Sequence, residues 1–111
     1  MAELSRWQRE GIPNSVLDVV HSVREVESNI PIVDMKLVET LGFDEGIVTI
    51  RYHCVSPFCP AMLVLATGLE LKSKLSSLAE VKEARVSVVN HYLSEKINKK
   101  IESFAPKSTA D

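Results

Sequence analysis

The chemistry-bearing stretch of this sequence is Cys54-Val55-Ser56-Pro57-Phe58-Cys59-Pro60, in which two thiols bracket a proline turn and a second proline opens a long apolar run. Proline is favoured at the first position of a helix, so Pro60 sets Cys59 at or beside a helix N-terminus. There the unpaired backbone N–H groups and the positive end of the helix dipole stabilise a thiolate, below the free thiol pKa of roughly 8.5. The thiolate is the form that ligates metal or attacks an electrophile. The competing reading of Cys59 is a small buried residue in a tight strand-to-helix turn, and spacing alone leaves both open. Cys54 shares an apolar strand face with Val48 and Ile50 and reads as packing, with a further role as a second thiol for Cys59. A reversible disulfide across the turn is the third use of the pair.

A closed zinc site is poorly matched, because C-x4-C departs from the paired clusters that complete a tetrahedron. A cluster would have to be shared between subunits, or completed by His53, His91 or an external thiol. His91 follows a predicted strand and is placed to approach Cys59 as a cysteine–histidine pair. Asp34, a carboxylate on a predicted strand, is a further supporting candidate, with a solvated strand face as its plain alternative. His21 reads as a surface or boundary residue, and His53 points away from the apolar face. No orienting third group or oxyanion element can be named, so a stand-alone enzyme is not expected. Lys96, Lys99 and Lys100 form the one concentrated basic stretch, a solvated helix face or a docking patch for an acidic partner.

The elements that must position these residues follow from periodicity. Residues 1–14 read as an arm closed by Gly11, Pro13 and Asn14, residues 15–104 as a single domain, and residues 105–111 as a frayed tail. Ser15 and Asp18 suggest a capping-box start, and Val16, Val19, Val20, Val23 and Val26 recur at helical spacing. Partial alternation over residues 32–41 predicts a first strand. Turn residues 42–46 then lead into a second strand over 47–55, with Val48, Ile50, Tyr52 and Cys54 on one side. The apolar run from Pro60 to Leu78 predicts the core helix, and Ala84, Val86 and Val88 mark a third strand within 81–89. Ser94 caps a last helix bearing Ile97 and Ile101. The expected fold is α+β, a small three-stranded sheet with helices packed on it in the order α-β-β-α-β-α. An exposed sheet face or edge in so small a domain makes a homodimer plausible.

At 111 residues, 45% hydrophobic and 25% charged, the chain suits one globular domain. A net charge of -2 gives no global positive field for a phosphate backbone, so nucleic acid is not an expected partner. The first ten residues carry Glu3, Arg6, Arg9 and Glu10 with no apolar core of a secretory signal, and no apolar run is long enough to span a bilayer. The expected location is the cytoplasm, whose reducing interior favours free thiols.

Three segments together resemble a known family. They are Ile32-Val33-Asp34-Met35-Lys36-Leu37-Val38, Ser56-Pro57-Phe58-Cys59-Pro60-Ala61-Met62, and Asn90-His91 followed by Glu95, Ile97, Asn98 and Lys99. Over about residues 16–101 the chain is similar to the MIP-eighteen family, also called domain of unknown function fifty-nine. The resemblance implies an iron-sulfur-assembly-type domain and a role in iron–sulfur protein maturation. Eukaryotic members act in a cytosolic targeting complex and bacterial ones include an accessory protein of the Suf system. Another branch, similar to the phenylacetate-degradation D protein, assists maturation of a multicomponent oxygenase. It also implies partners among assembly components and client proteins, and a transient iron–sulfur cluster or iron rather than a resident cofactor. Cys59 falls on the family's functional cysteine and Asp34 on its strand-one aspartate, and the segment from His91 to Lys99 resembles the eukaryotic ending. The chain departs from the pattern at Glu27-Ser28-Asn29, at Lys36 where glycine is common, and at His53-Cys54-Val55 where threonines are common.

Three functional readings follow. The leading one is an iron–sulfur assembly or transfer factor with Cys59 as transient ligand or client contact. The second is an adaptor that recruits clients through its sheet or through the terminal helix near Lys99, without touching metal. The third is a small thiol enzyme using Cys59 and His91.

Overall fold

Three helices and three strands alternate along the chain as α1 (Asn14–Ser22), β1 (Val38–Asp44), β2 (Ile47–Tyr52), α2 (Ala61–Ser76), β3 (Glu83–Val88) and α3 (Ser94–Ser103) in the computed structural model, which describes residues 11–105. This is the expected α+β order. The arm up to residue 10 and the tail from residue 106 lie outside the described residues. The sheet order is β1-β2-β3, with β1 antiparallel to β2 and β2 parallel to β3.

The valine stripe forms α1 and is buried at Val16 and Val20, with Val23 fully buried just past its end. β-branched residues are weak helix formers, so this helix depends on tertiary packing, each buried valine contributing up to about 1.5–3 kcal/mol. The helix is shorter than the pattern predicts, stopping at Ser22, and Val26 is 49% exposed. Its N-cap is Pro13, not Ser15; the Ser15 hydroxyl instead donates to Glu80 Oε2 at 2.9 Å. The packed core reaches back to Ile12.

The first strand is the main correction. Residues 32–36 form turns, and β1 begins only at Val38. Met35 N–H donates to Pro31 O, Lys36 N–H to Val33 O and Leu37 N–H to Ile32 O, which coils the segment so that Ile32 and Leu37 are both buried. Lys36 takes a φ of 61°, a left-handed conformation incompatible with an extended strand. The hairpin that follows is tighter than predicted. Gly42, Phe43 and Asp44 are paired in β1, leaving Glu45 and Gly46, both at positive φ, as the two-residue turn.

Val48, Ile50 and Tyr52 of β2, with Ala84, Val86 and Val88 of β3, face the core, while Thr49, Arg51, Glu83 and Arg85 face outward. The buried stripe of α2 is Val64, Thr67, Gly68, Leu71 and Leu75. A Cβ at Gly68 would lie 2.5 Å from Ile101 Cδ1 and 2.6 Å from Tyr52 Oη, so glycine is what lets α3 and the Tyr52 ring reach the helix together. The Tyr52 phenol donates to Val64 O at 2.6 Å, and burial pushes its pKa well above the usual tyrosine range. On α3, Leu93 rather than Ser94 occupies the N-cap, Ile97 and Ile101 are buried, and Lys72 Nζ closes the C-terminal end by donating to Ile101 O at 2.7 Å. Asn98 meets β3's outer edge, its Oδ1 accepting the Val88 N–H at 2.7 Å and its Nδ2 donating to Val88 O at 3.0 Å.

Candidate functional site

Because β2 and β3 run parallel with Tyr52 beside Val88, the segments that follow them leave the sheet at the same end. One is the 53–60 turn. The other is Val89-Asn90-His91-Tyr92, which starts with Val89 N–H donating to Tyr52 O at 2.8 Å and bends at Asn90, whose φ is 59°. Asparagine tolerates this left-handed position better than most residues, so the bend that aims His91 back at the turn is a local property of the sequence.

The turn itself is held by short-range bonds. Phe58 N–H donates to Ser56 Oγ at 3.0 Å and Cys59 N–H to Ser56 O at 3.2 Å. From the β3 side, Tyr92 N–H donates to Pro57 O at 3.1 Å. His91, 6% exposed, has both ring nitrogens engaged: Nδ1 accepts the Leu93 N–H at 3.0 Å, which assigns the proton to Nε2, and Nε2 donates to Cys59 O at 2.8 Å. The sequence reading brings His91 to Cys59, and the structure does too, but to the backbone carbonyl. The ring clamps the turn through its backbone.

Cys59 lies beside the N-cap of α2, Pro60, and is 7% exposed. The expectation of free thiols is not met: Cys54 and Cys59 form a disulfide, with their Cα atoms 6.5 Å apart. Cys54 sits past the end of β2, not within it, because pairing stops at Tyr52. That release from the strand lets its sulfur turn back toward Cys59. Behind Cys54, Glu25, His53, Thr67 and Leu63 help line a cavity of about 20 Å3, room for about one water molecule.

Asp34 stands exposed in the 32–36 turn rather than on a strand. His53 is half-buried, and its Nδ1 pairs with Glu39 Oε2 at 2.8 Å. Glu39 is the extra residue at the irregularity between Val38 and Thr40 in β1, a bulge that re-aims its side chain. His21 lies on the exposed face of α1, with Nδ1 donating to Leu17 O at 2.8 Å. Lys99 is exposed on α3 and lines an open groove of about 850 Å3 of mixed charge, with Arg51, Arg85, Glu95 and Glu102 among its neighbours. Among the described residues no group of three His, Cys, Asp or Glu side chains could hold a metal ion.

Sequence reasoning missed the apolar surface around the turn. Phe58 is 74%, Met62 82%, Tyr92 63% and Val55 59% exposed, and the Phe58 and Tyr92 rings meet at 5.6 Å between centroids. Met62 looked like part of the apolar stripe of α2, but the buried stripe begins at Val64, two residues further on, and points Met62 outward. Large apolar side chains grouped this way mark contact surfaces more often than scattered ones do.

Comparison of the chain with known protein families and with curated proteins finds no match. No helix among the described residues is long and apolar enough to cross a membrane, and the Cα radius of gyration is 13.1 Å.

Proposed function

We propose that this protein is an iron–sulfur assembly or transfer factor of the MIP-eighteen type, acting in the cytoplasm on client proteins with Cys59, once reduced, as transient ligand or client-contact thiol. The observation that carries this reading is the Cys59 turn, fixed by His91 and Tyr92 at the start of α2 and bordered by exposed Phe58 and Met62. A single thiolate beside an apolar contact surface suits a hand-over site, in which the iron or cluster is cargo and the remaining ligands come from a client, a second copy of the chain or a small thiol. The test is anaerobic reduction followed by addition of ferrous iron and sulfide, comparing bound iron and visible absorption of the native chain with Cys59→Ala. Cluster absorption that depends on Cys59 supports the reading; absence of bound iron in both proteins overturns it.

The exposed Phe58–Tyr92 pair favours a second reading, an adaptor that binds clients through this surface without metal. In that case Cys59→Ala leaves client binding intact, while Phe58→Ala weakens it.

A further inference from the structure

We infer that the Cys54–Cys59 pair is a thiol–disulfide exchange site whose reaction partner is a dithiol, and that exchange there gates the sulfur of Cys59. This rests on the reading of Cys59 as the working thiol. The bridge spans only five positions of sequence, and a short loop gains least from a cross-link. Its contribution to the shape of the turn is also redundant. Ser56 holds the N–H groups of Phe58 and Cys59, His91 holds Cys59 O, and Tyr92 holds Pro57 O, all without help from sulfur. A bond that adds little to a turn already fixed by its backbone has its main effect on chemistry: while it stands, Cys59 can neither ligate nor react. Cys54 lies past the strand end and is half-buried, whereas Cys59 is buried, so Cys54 is the more accessible of the two residues.

In the forward step a thiolate of the dithiol attacks Cys54 Sγ. The Cys54–Cys59 bond breaks, a mixed disulfide forms on Cys54, and Cys59 leaves as a thiolate at the start of α2, where helix N–H groups favour negative charge. The second thiol of the reductant, on losing its proton, then displaces Cys54. The products are two reduced cysteines and one oxidised dithiol, a transfer of two electrons and two protons.

The experiment uses the full chain after air oxidation, treated with dithiothreitol without denaturant, quenched with iodoacetamide and weighed by mass spectrometry. Two adducts after reduction and none before, with an unchanged near-ultraviolet circular dichroism spectrum, are expected. Cys54→Ala should give one adduct, at Cys59, with no reductant. A bridge that yields to dithiothreitol only when denaturant is added overturns the inference and makes it a structural staple; that result needs only the native chain. Ferrous iron binding separates the two claims. Iron taken up at least tenfold more by the reduced than by the oxidised native chain, and regardless of oxidation by Cys54→Ala, supports both. Adducts as expected with no iron bound in either state keep the exchange site and overturn the assembly reading. Equal iron uptake by oxidised and reduced native chain overturns the gate.

Discussion

The imidazole of His91 donates from Nε2 to the carbonyl oxygen of Cys59 at 2.8 Å, joining two residues 32 positions apart through one buried hydrogen bond. That bond ties the segment after β3 to the turn before α2, and it gives the buried His91 ring a partner.

His91→Ala should destabilise the fold by about 1–3 kcal/mol, the usual cost of leaving buried partners unpaired. In the reduced protein it should also speed alkylation of Cys59 as the turn loosens. Urea unfolding and labelling rates check the two effects separately, and an unchanged labelling rate would mean that Tyr92 and Ser56 hold the turn unaided.

Gly68→Ala should be destabilising despite the better helix propensity of alanine, which is worth about 1 kcal/mol. The added methyl meets Ile101 and the Tyr52 hydroxyl, and overpacking of this kind costs about 1–3 kcal/mol. Thermal unfolding of Gly68→Ala against Gly68→Ala with Ile101→Val tests the cause, since the shorter partner should recover part of the loss.

Asn98→Ala should expose the outer edge of β3 at Val88. Both Val88 backbone groups lose their partner, and hydrogen exchange of the Val88 amide should accelerate markedly while Val86 changes less. Asn98→Asp should be intermediate, because its carboxylate still accepts the N–H but repels Val88 O.

Glu25 should contribute an acid-sensitive increment of stability. Burial pushes its carboxyl up, but the hydrogen bonds it accepts from Ser28 and from the Ser28 and Glu27 backbone outweigh this and hold it below the ordinary value of 4.5. A carboxyl depressed on folding adds stability that is complete above the unfolded pKa and is lost as pH falls through the folded one. Glu25→Gln should therefore show a flatter dependence of unfolding free energy on pH below about 4.5 than the native chain.

The element order and the position of Cys59 were legible because each rests on a local signal: the valine spacing of α1, the proline after Cys59, and the alternation of Val48, Ile50 and Tyr52. The 32–36 segment was not, since Val33, Met35 and Leu37 alternate with Asp34 and Lys36 as on a strand, whereas the folded segment buries Ile32 and Leu37 and leaves Val33 and Met35 only partly buried. Its real conformation turns on the positive φ of Lys36, which no glycine or asparagine announces. The spacing of Cys54 and Cys59 admits a disulfide, which a reducing compartment would disfavour. The carbonyl contact of His91 could not be read at all, because it depends on the register of β3 beside β2.

That parallel register also carries a kinetic consequence. The hairpin of β1 and β2 closes over two residues, whereas β3 can dock on β2 only after the whole of α2 has crossed over, and long-range pairing of this kind is slow because the loop must close before contacts reward it. His91 and Tyr92 follow β3 and arrive with it. The turn around Cys59 should therefore be completed only when β3 docks on β2, after the β1–β2 hairpin has closed.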